Sequence, residues 1–232
     1  MSDPYQEPPF ESPFNAMPAV VVILFVIMAG IELTLTAGEA GLIGGPQAIG
    51  WRLGLVRDWG FSGDLFDAML AQGYWTPENL ARFVTYPFIY LSFTHALIAI
   101  VLMLALGKLA AEVMGQLAML LLFVLSGAGG ALAYAVLLDD PVWLVGAYPA
   151  VYGLIGGYSF LTWRSLAATG GPQIQAFRLI GMLMGLQLVW SLISSVGYGW
   201  VAELSGFVCG FLLCFICAPG EWARILQKLR QR

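Results

Sequence analysis

Very few side chains in this sequence could do chemistry, because its long apolar runs admit almost no ionisable groups. His95 is the sole histidine among 232 residues, Glu203 lies in one apolar run and Glu32 near the end of another. Ionisable groups at membrane depth are functional candidates by default, although Glu32 is close enough to the interface to snorkel. An imidazole or a carboxylate can serve as the base that a hydroxyl nucleophile requires, alongside donors aimed at the developing oxyanion. The octet Gly146-Ala147-Tyr148-Pro149-Ala150-Val151-Tyr152-Gly153 places a phenol at the opening of an apolar helix. Glu203 and His95 could alternatively carry a proton or a small solute, which would need a continuous wet path past them. Cys209, Cys214 and Cys217 share one run, and no His or Cys cluster has metal-ligand spacing. They read as small packing residues, and neither a metal nor a cofactor is expected.

Whatever chemistry these residues do, membrane helices must position them. The chain is 59% hydrophobic and 10% charged, with a mean hydropathy of +0.82. Six runs are long enough to cross a hydrocarbon core of about 30 Å, near 15–36, 84–106, 116–138, 142–163, 175–197 and 200–218. The fold class this implies is an all-α polytopic membrane protein, one domain over 15–218. It is flanked by an N-terminal tail over 1–14 and a basic C-terminal tail over 219–232. The first run has no basic residue before it, so it reads as an uncleaved helix rather than a signal peptide. With six spans, both termini share a side with Lys108, Arg164 and Arg178, and with Arg224, Lys228, Arg230 and Arg232. Seven of the ten basic residues therefore predict cytoplasmic termini. The net charge of −4 is dispersed, so nothing points to nucleic acid.

Residues 37–83 form the one long extramembrane segment. Ser62 can cap a short helix with Leu65, Phe66, Met69 and Leu70 on one face, ended by Gly73. Trp51, Trp59, Tyr74 and Trp75 suit a membrane interface, so this helix is expected to lie in the outer leaflet. Thr76 and Pro77 form a second helix start.

Motifs at three spans, in order along the chain, resemble those of rhomboid intramembrane serine proteases. The octet from Gly146 is similar to the family's Gly-Ala-Ser-Gly-Ala-x-Tyr-Gly signature, with Tyr148 in place of the nucleophilic serine. Arg82-Phe83-Val84-Thr85-Tyr86-Pro87-Phe88 is similar to Trp-Arg-x-x-Thr-x-x-Phe before span two, with Ala81 replacing the tryptophan. His95, Gly107 and Glu112 keep the spacing of the family's His-x-x-x-Asn helix, but Ala99 replaces the asparagine and Tyr90 stands where many members have another histidine. Ala202 to Gly210 resembles Ala-His-x-x-Gly-Phe-x-x-Gly of span six, with Glu203 replacing the histidine.

The resemblance implies a six-transmembrane-helix rhomboid-like bundle covering roughly 80–218. It also implies that the family Ser, His and Asn have become Tyr148, Glu203 and Ala99, leaving His95. Since the family pair hydrogen-bonds, Tyr148 and Glu203 are expected to bond across spans four and six. A functional version would make Tyr148 a nucleophile activated by Glu203, and the bland version makes the pair a clamp between buried polar groups. Pro149 replaces a glycine and suits a helix's first turn, so span four should begin inside the membrane. Gly153 with Gly157 and Gly206 with Gly210 should let spans four and six approach closely. Around Gly127, Gly129 and Gly130, span three has either a second close contact or a soft helix. The expected function is an inactive relative binding transmembrane segments of client proteins between spans two and five, in a bacterial inner membrane. The alternative is an intramembrane endopeptidase with a variant site.

Overall fold

The computed structural model describes residues 17–138, 142–193 and 198–217, with backbone alone over 187–193. The expected tails over 1–14 and 219–232, and the end of the fifth span, lie outside the described residues. Among the described residues the chain is helical, and its one β-type pairing is an isolated bridge between Phe61 and Leu144. The α-helices are α1 Ala19–Glu39, α2 Trp51–Trp59, α3 Gly63–Gln72, α4 Pro77–Thr85, α5 Phe93–Met114, α6 Gln116–Leu137, α7 Tyr148–Thr169, α8 Arg178–Ile193 and α9 Gly199–Cys217.

Four of these, α1, α5, α6 and α9, are long and apolar enough to cross a membrane. Helix α7 is as long as α5 but carries glycines, tyrosines and an arginine, which lower its hydropathy. Its residues from Pro149 to Gly157 are buried without a break, because α5, α6 and α9 surround it. A helix enclosed by protein has no need of the lipid-facing apolar side chains by which spans are recognised. Helix α8 is described over 16 residues, short of a full crossing.

Two boundaries differ from the sequence reading. The second span begins at Phe93 rather than near 84, because Pro87 sits in a 3-10 turn over Tyr86–Phe88 and Ser92 caps the new helix. The helix expected as the fourth span, α7, begins at Tyr148 rather than 142, with Pro149 in its first turn as its fixed φ suggests. Within the first loop, Ser62 Oγ accepts from the Leu65 N–H and Gly73 ends α3 at φ +70°. Thr76 caps α4 with Pro77 inside its first turn. On α3, Phe66 and Met69 are buried and Leu70 is exposed. Trp51, Trp59, Tyr74 and Trp75 are all exposed.

Candidate functional site

The site is built where three backbone segments converge. Gly146 has φ +93°, a left-handed conformation that favours glycine, and its N–H donates to the Tyr86 carbonyl at 3.0 Å. A Cβ there would also meet His95 Cε1 at 3.0 Å and Nε2 at 3.2 Å. Gly146 therefore turns the chain into α7 and leaves the His95 imidazole its place. Tyr148 then opens α7 one residue beyond the cap at Ala147.

Between α7 and α9 the backbones touch. A Cβ on Gly206 would strike the Pro149 carbonyl, and one on Gly210 would strike Gly153. Gly156 is closed in the same way by Phe207 and Phe211, whereas a Cβ on Gly157 would meet only ordinary contacts of 3.4 Å and more. The tight face of α7 thus runs through Gly153 and Gly156, which corrects the Gly153–Gly157 reading. Helix α6 supplies the second close contact: Gly130 lies against Ala202 and Pro149, and Gly129 against Cys209. Tyr86 crosses to this helix, and its buried hydroxyl donates to the Gly127 carbonyl at 2.8 Å.

With backbones at this distance the site residues are brought together. The Tyr148 ring stacks on His95, with centroids 5.0 Å apart and planes 14° from parallel. Tyr90 meets His95 edge-on at 5.6 Å. Its hydroxyl is buried beside the Ala147 backbone N–H, without a hydrogen bond of ordinary geometry. Ala99 is fully buried, one turn beyond His95 on α5. Glu203, on α9, lies near enough for its charge to act on both Tyr148 and Tyr152. Among the described residues Tyr148 lies flat on the His95 imidazole, without the expected hydrogen bond to Glu203.

Chemically, the helix start carries a phenol stacked on a ring, not a hydroxyl bonded to a base. Ser159, on the same helix, is buried and its hydroxyl has no partner. Among the described residues no three His, Cys, Asp or Glu side chains cluster as metal ligands. An open groove of about 640 Å³ lies between α1 and α2, lined by Gly30, Thr34, Trp51, Gly54 and Asp58, apart from these site residues.

A polar cluster unforeseen in the sequence adjoins the site. Arg52 is buried and donates through Nη1 and Nη2 to Glu32 at 3.0 and 2.9 Å. It also donates through Nε and Nη2 to Glu39 at 2.6 and 3.1 Å, and through Nη1 to the Tyr90 carbonyl at 2.6 Å. Thr36 adds a hydroxyl to Glu32 at 3.0 Å. The Glu32 hydrogen bonds, opposed by burial and reinforced by Glu39, hold the Arg52 guanidinium above its ordinary pKa. Glu32 is thus a structural anion and not a snorkelling one. Arg82 plays a separate part, donating to the Arg57 and Gly60 carbonyls at 2.8 and 3.1 Å and so tying α4 to the end of α2.

Residues 77–220, more than half of the chain, match the family model described as Rhomboid domain. No curated protein matches the chain.

Proposed function

The chain belongs to the rhomboid family, and from that footing we propose that it is a proteolytically inactive member that binds transmembrane segments of client proteins. What carries this reading is the pairing at the head of α7, where Tyr148 lies stacked on His95 with no serine in its place. The loss of one oxyanion donor costs about 10²–10³ in rate, and the loss of a nucleophile or base costs about 10⁶. Tyr148, Glu203 and Ala99 together remove all three contributions. The glycines that bring α7 and α9 together are retained, which keeps the scaffold while leaving out the dyad.

Clients would enter between the second and fifth spans, α5 and α8. The exposed Met182 and Leu186 on α8, and Leu97, Ile98 and Val101 on α5, support that choice. Gly181 and Gly185 leave open space on α8 for a second helix to approach. The six-span bundle, the orientation with cytoplasmic termini and the bacterial inner membrane belong to this proposal. So does the division into tails and one membrane domain.

The rival reading is an endopeptidase with a variant site, and the nearness of Glu203 to Tyr148 and Tyr152 favours it, because a carboxylate beside a phenol is one way to activate a nucleophile. Purified protein incubated with a reporter transmembrane substrate tests both readings. No cleavage, with photocrosslinking of the substrate helix to α5 or α8, is the expected result. Cleavage that disappears in Glu203→Gln together with Tyr148→Phe or Tyr152→Phe would establish the peptidase instead.

A further inference from the structure

Arg52 is an unusual residue to bury. A guanidinium carries five N–H donors and stays charged, so an apolar setting tolerates it only when each donor is used. Here all five are used, on Glu32, Glu39 and the Tyr90 carbonyl. Fastening α2 to α1 would require only the two carboxylates, both of which lie on α1. The Tyr90 carbonyl is the acceptor that does not fit a simple clip.

Tyr90 lies between the 3-10 turn and α5, in a stretch whose carbonyls are not committed to a helix ladder. Its ring is fully buried, edge-on to His95, and its Cδ1 lies 3.5 Å from where a Gly146 Cβ would stand. His95 in turn carries the Tyr148 stack. The Glu32 carboxylate is also near enough for its charge to act on His95. A chain of contacts therefore runs from Arg52 through the Tyr90 peptide to the ring pair at the head of α7.

We propose that Arg52 is the positioning residue of this site: by holding the Tyr90 carbonyl it sets the placement of His95 against Tyr148. The proposal rests on the site lying at Tyr148 and His95, and holds whether the chain cuts its clients or only binds them. An ammonium with three donors cannot reproduce the fork of a guanidinium, so lysine at this position keeps the charge and loses the geometry.

The test uses the single histidine. Protein labelled with ¹⁵N only at histidine gives imidazole resonances that belong to His95 alone, and their positions depend on the two rings packed beside it. Arg52→Lys is expected to move those resonances, while Glu39→Gln, which alters the partly exposed partner, leaves them in place. Amide exchange over 42–60 should quicken by about tenfold or more in Arg52→Lys as the segment opens locally. Folded Arg52→Lys protein with wild-type His95 resonances would overturn the proposal and reduce Arg52 to a clip for the loop. Equal displacement in Glu39→Gln would overturn it as well. If Arg52→Lys does not fold, Thr36→Val, which removes a hydrogen bond that holds Glu32 against Arg52 and keeps every charge, decides by the same resonances: moved supports the proposal, unmoved overturns it. Client crosslinking is scored separately, so failure of the binding reading leaves this outcome readable.

Discussion

Between α7 and α9 the chain has removed side chains, whereas around Arg52 it has concentrated them. The seam is made of Gly153, Gly156, Gly206 and Gly210, whose missing Cβ atoms let one backbone rest on another. The knot is made of a guanidinium, two carboxylates, a hydroxyl and a carbonyl, each satisfied by the others. The seam places Tyr148 and Glu203, which stand at the heads of its two helices, and the knot adjoins Tyr90 and His95. Van der Waals packing at zero side-chain cost tolerates no added atom, while an ion cluster tolerates no missing one. Substitutions that add volume should therefore damage the first region most, and substitutions that remove charge should damage the second.

The largest effect is expected at Gly210. Gly210→Ala drives a methyl into Gly153 and forces the helices apart, which should cost about 3 kcal/mol or more, above the usual range for overpacking because backbone cannot turn aside. Loss of the folded species on heating in detergent, followed by circular dichroism, measures it. Gly157→Ala provides the contrast within the same helix. Its methyl meets only ordinary contacts and its backbone gains helix propensity, so stability should hold or rise by up to about 1 kcal/mol. Equal damage at both positions would break the distinction between seam and surroundings.

Next in size is the knot. Arg52→Gln leaves Glu32 buried without its charge partner, which should cost about 3–5 kcal/mol. In the double variant Arg52→Gln, Glu32→Gln the loss should fall well short of the sum of the two, because each single change already forfeits the shared bonds. Additive losses in thermal unfolding would show that the two residues act apart. The exposed Arg57–Asp58 pair, also on α2, should by comparison contribute no more than about 1 kcal/mol.

These two regions differ as much in legibility as in chemistry. The glycine spacing of the seam, together with Tyr148, Pro149 and Glu203, is local in sequence and could be read from short motifs. What could not be read was which of two adjacent glycines, Gly156 or Gly157, meets the backbone of α9, since that depends on how the helices cross. The partners of the knot lie 13, 20 and 38 residues from Arg52, and no periodicity links them. The helix caps at Ser62 and Thr76 were legible because a cap is decided within four residues. The start of α5 was missed because 84–92 holds no charged residue, and only Pro87 and the Ser92 cap divide it from the helix.

A smaller effect is expected where the two regions are joined. Tyr86 donates its hydroxyl to Gly127 on α6 while its carbonyl accepts from Gly146. Tyr86→Phe leaves a buried carbonyl short of a donor and should cost about 1–3 kcal/mol. Melting of the variant beside wild type measures it, and no change would mean that the α6 ladder alone satisfies that carbonyl.

The smallest effect on stability, under about 0.5 kcal/mol, is expected from Tyr148→Phe, and it is the most telling for the site. Phenylalanine keeps the stack on His95 and removes only the hydroxyl, so client crosslinking should be unchanged if the ring is what the position requires. Loss of crosslinking would assign the hydroxyl a part that stacking does not explain. Tyr148→Ser makes the opposite change, returning a small hydroxyl and deleting the ring. It should remove the stack without yielding cleavage, because the position of the base is occupied by Glu203 instead of a histidine, and Ala99 offers no amide to the oxyanion. The reporter substrate, incubated with Tyr148→Ser protein, would then remain intact. Cleavage by that variant would mean that the seam retains a working site and that one ring alone has silenced it.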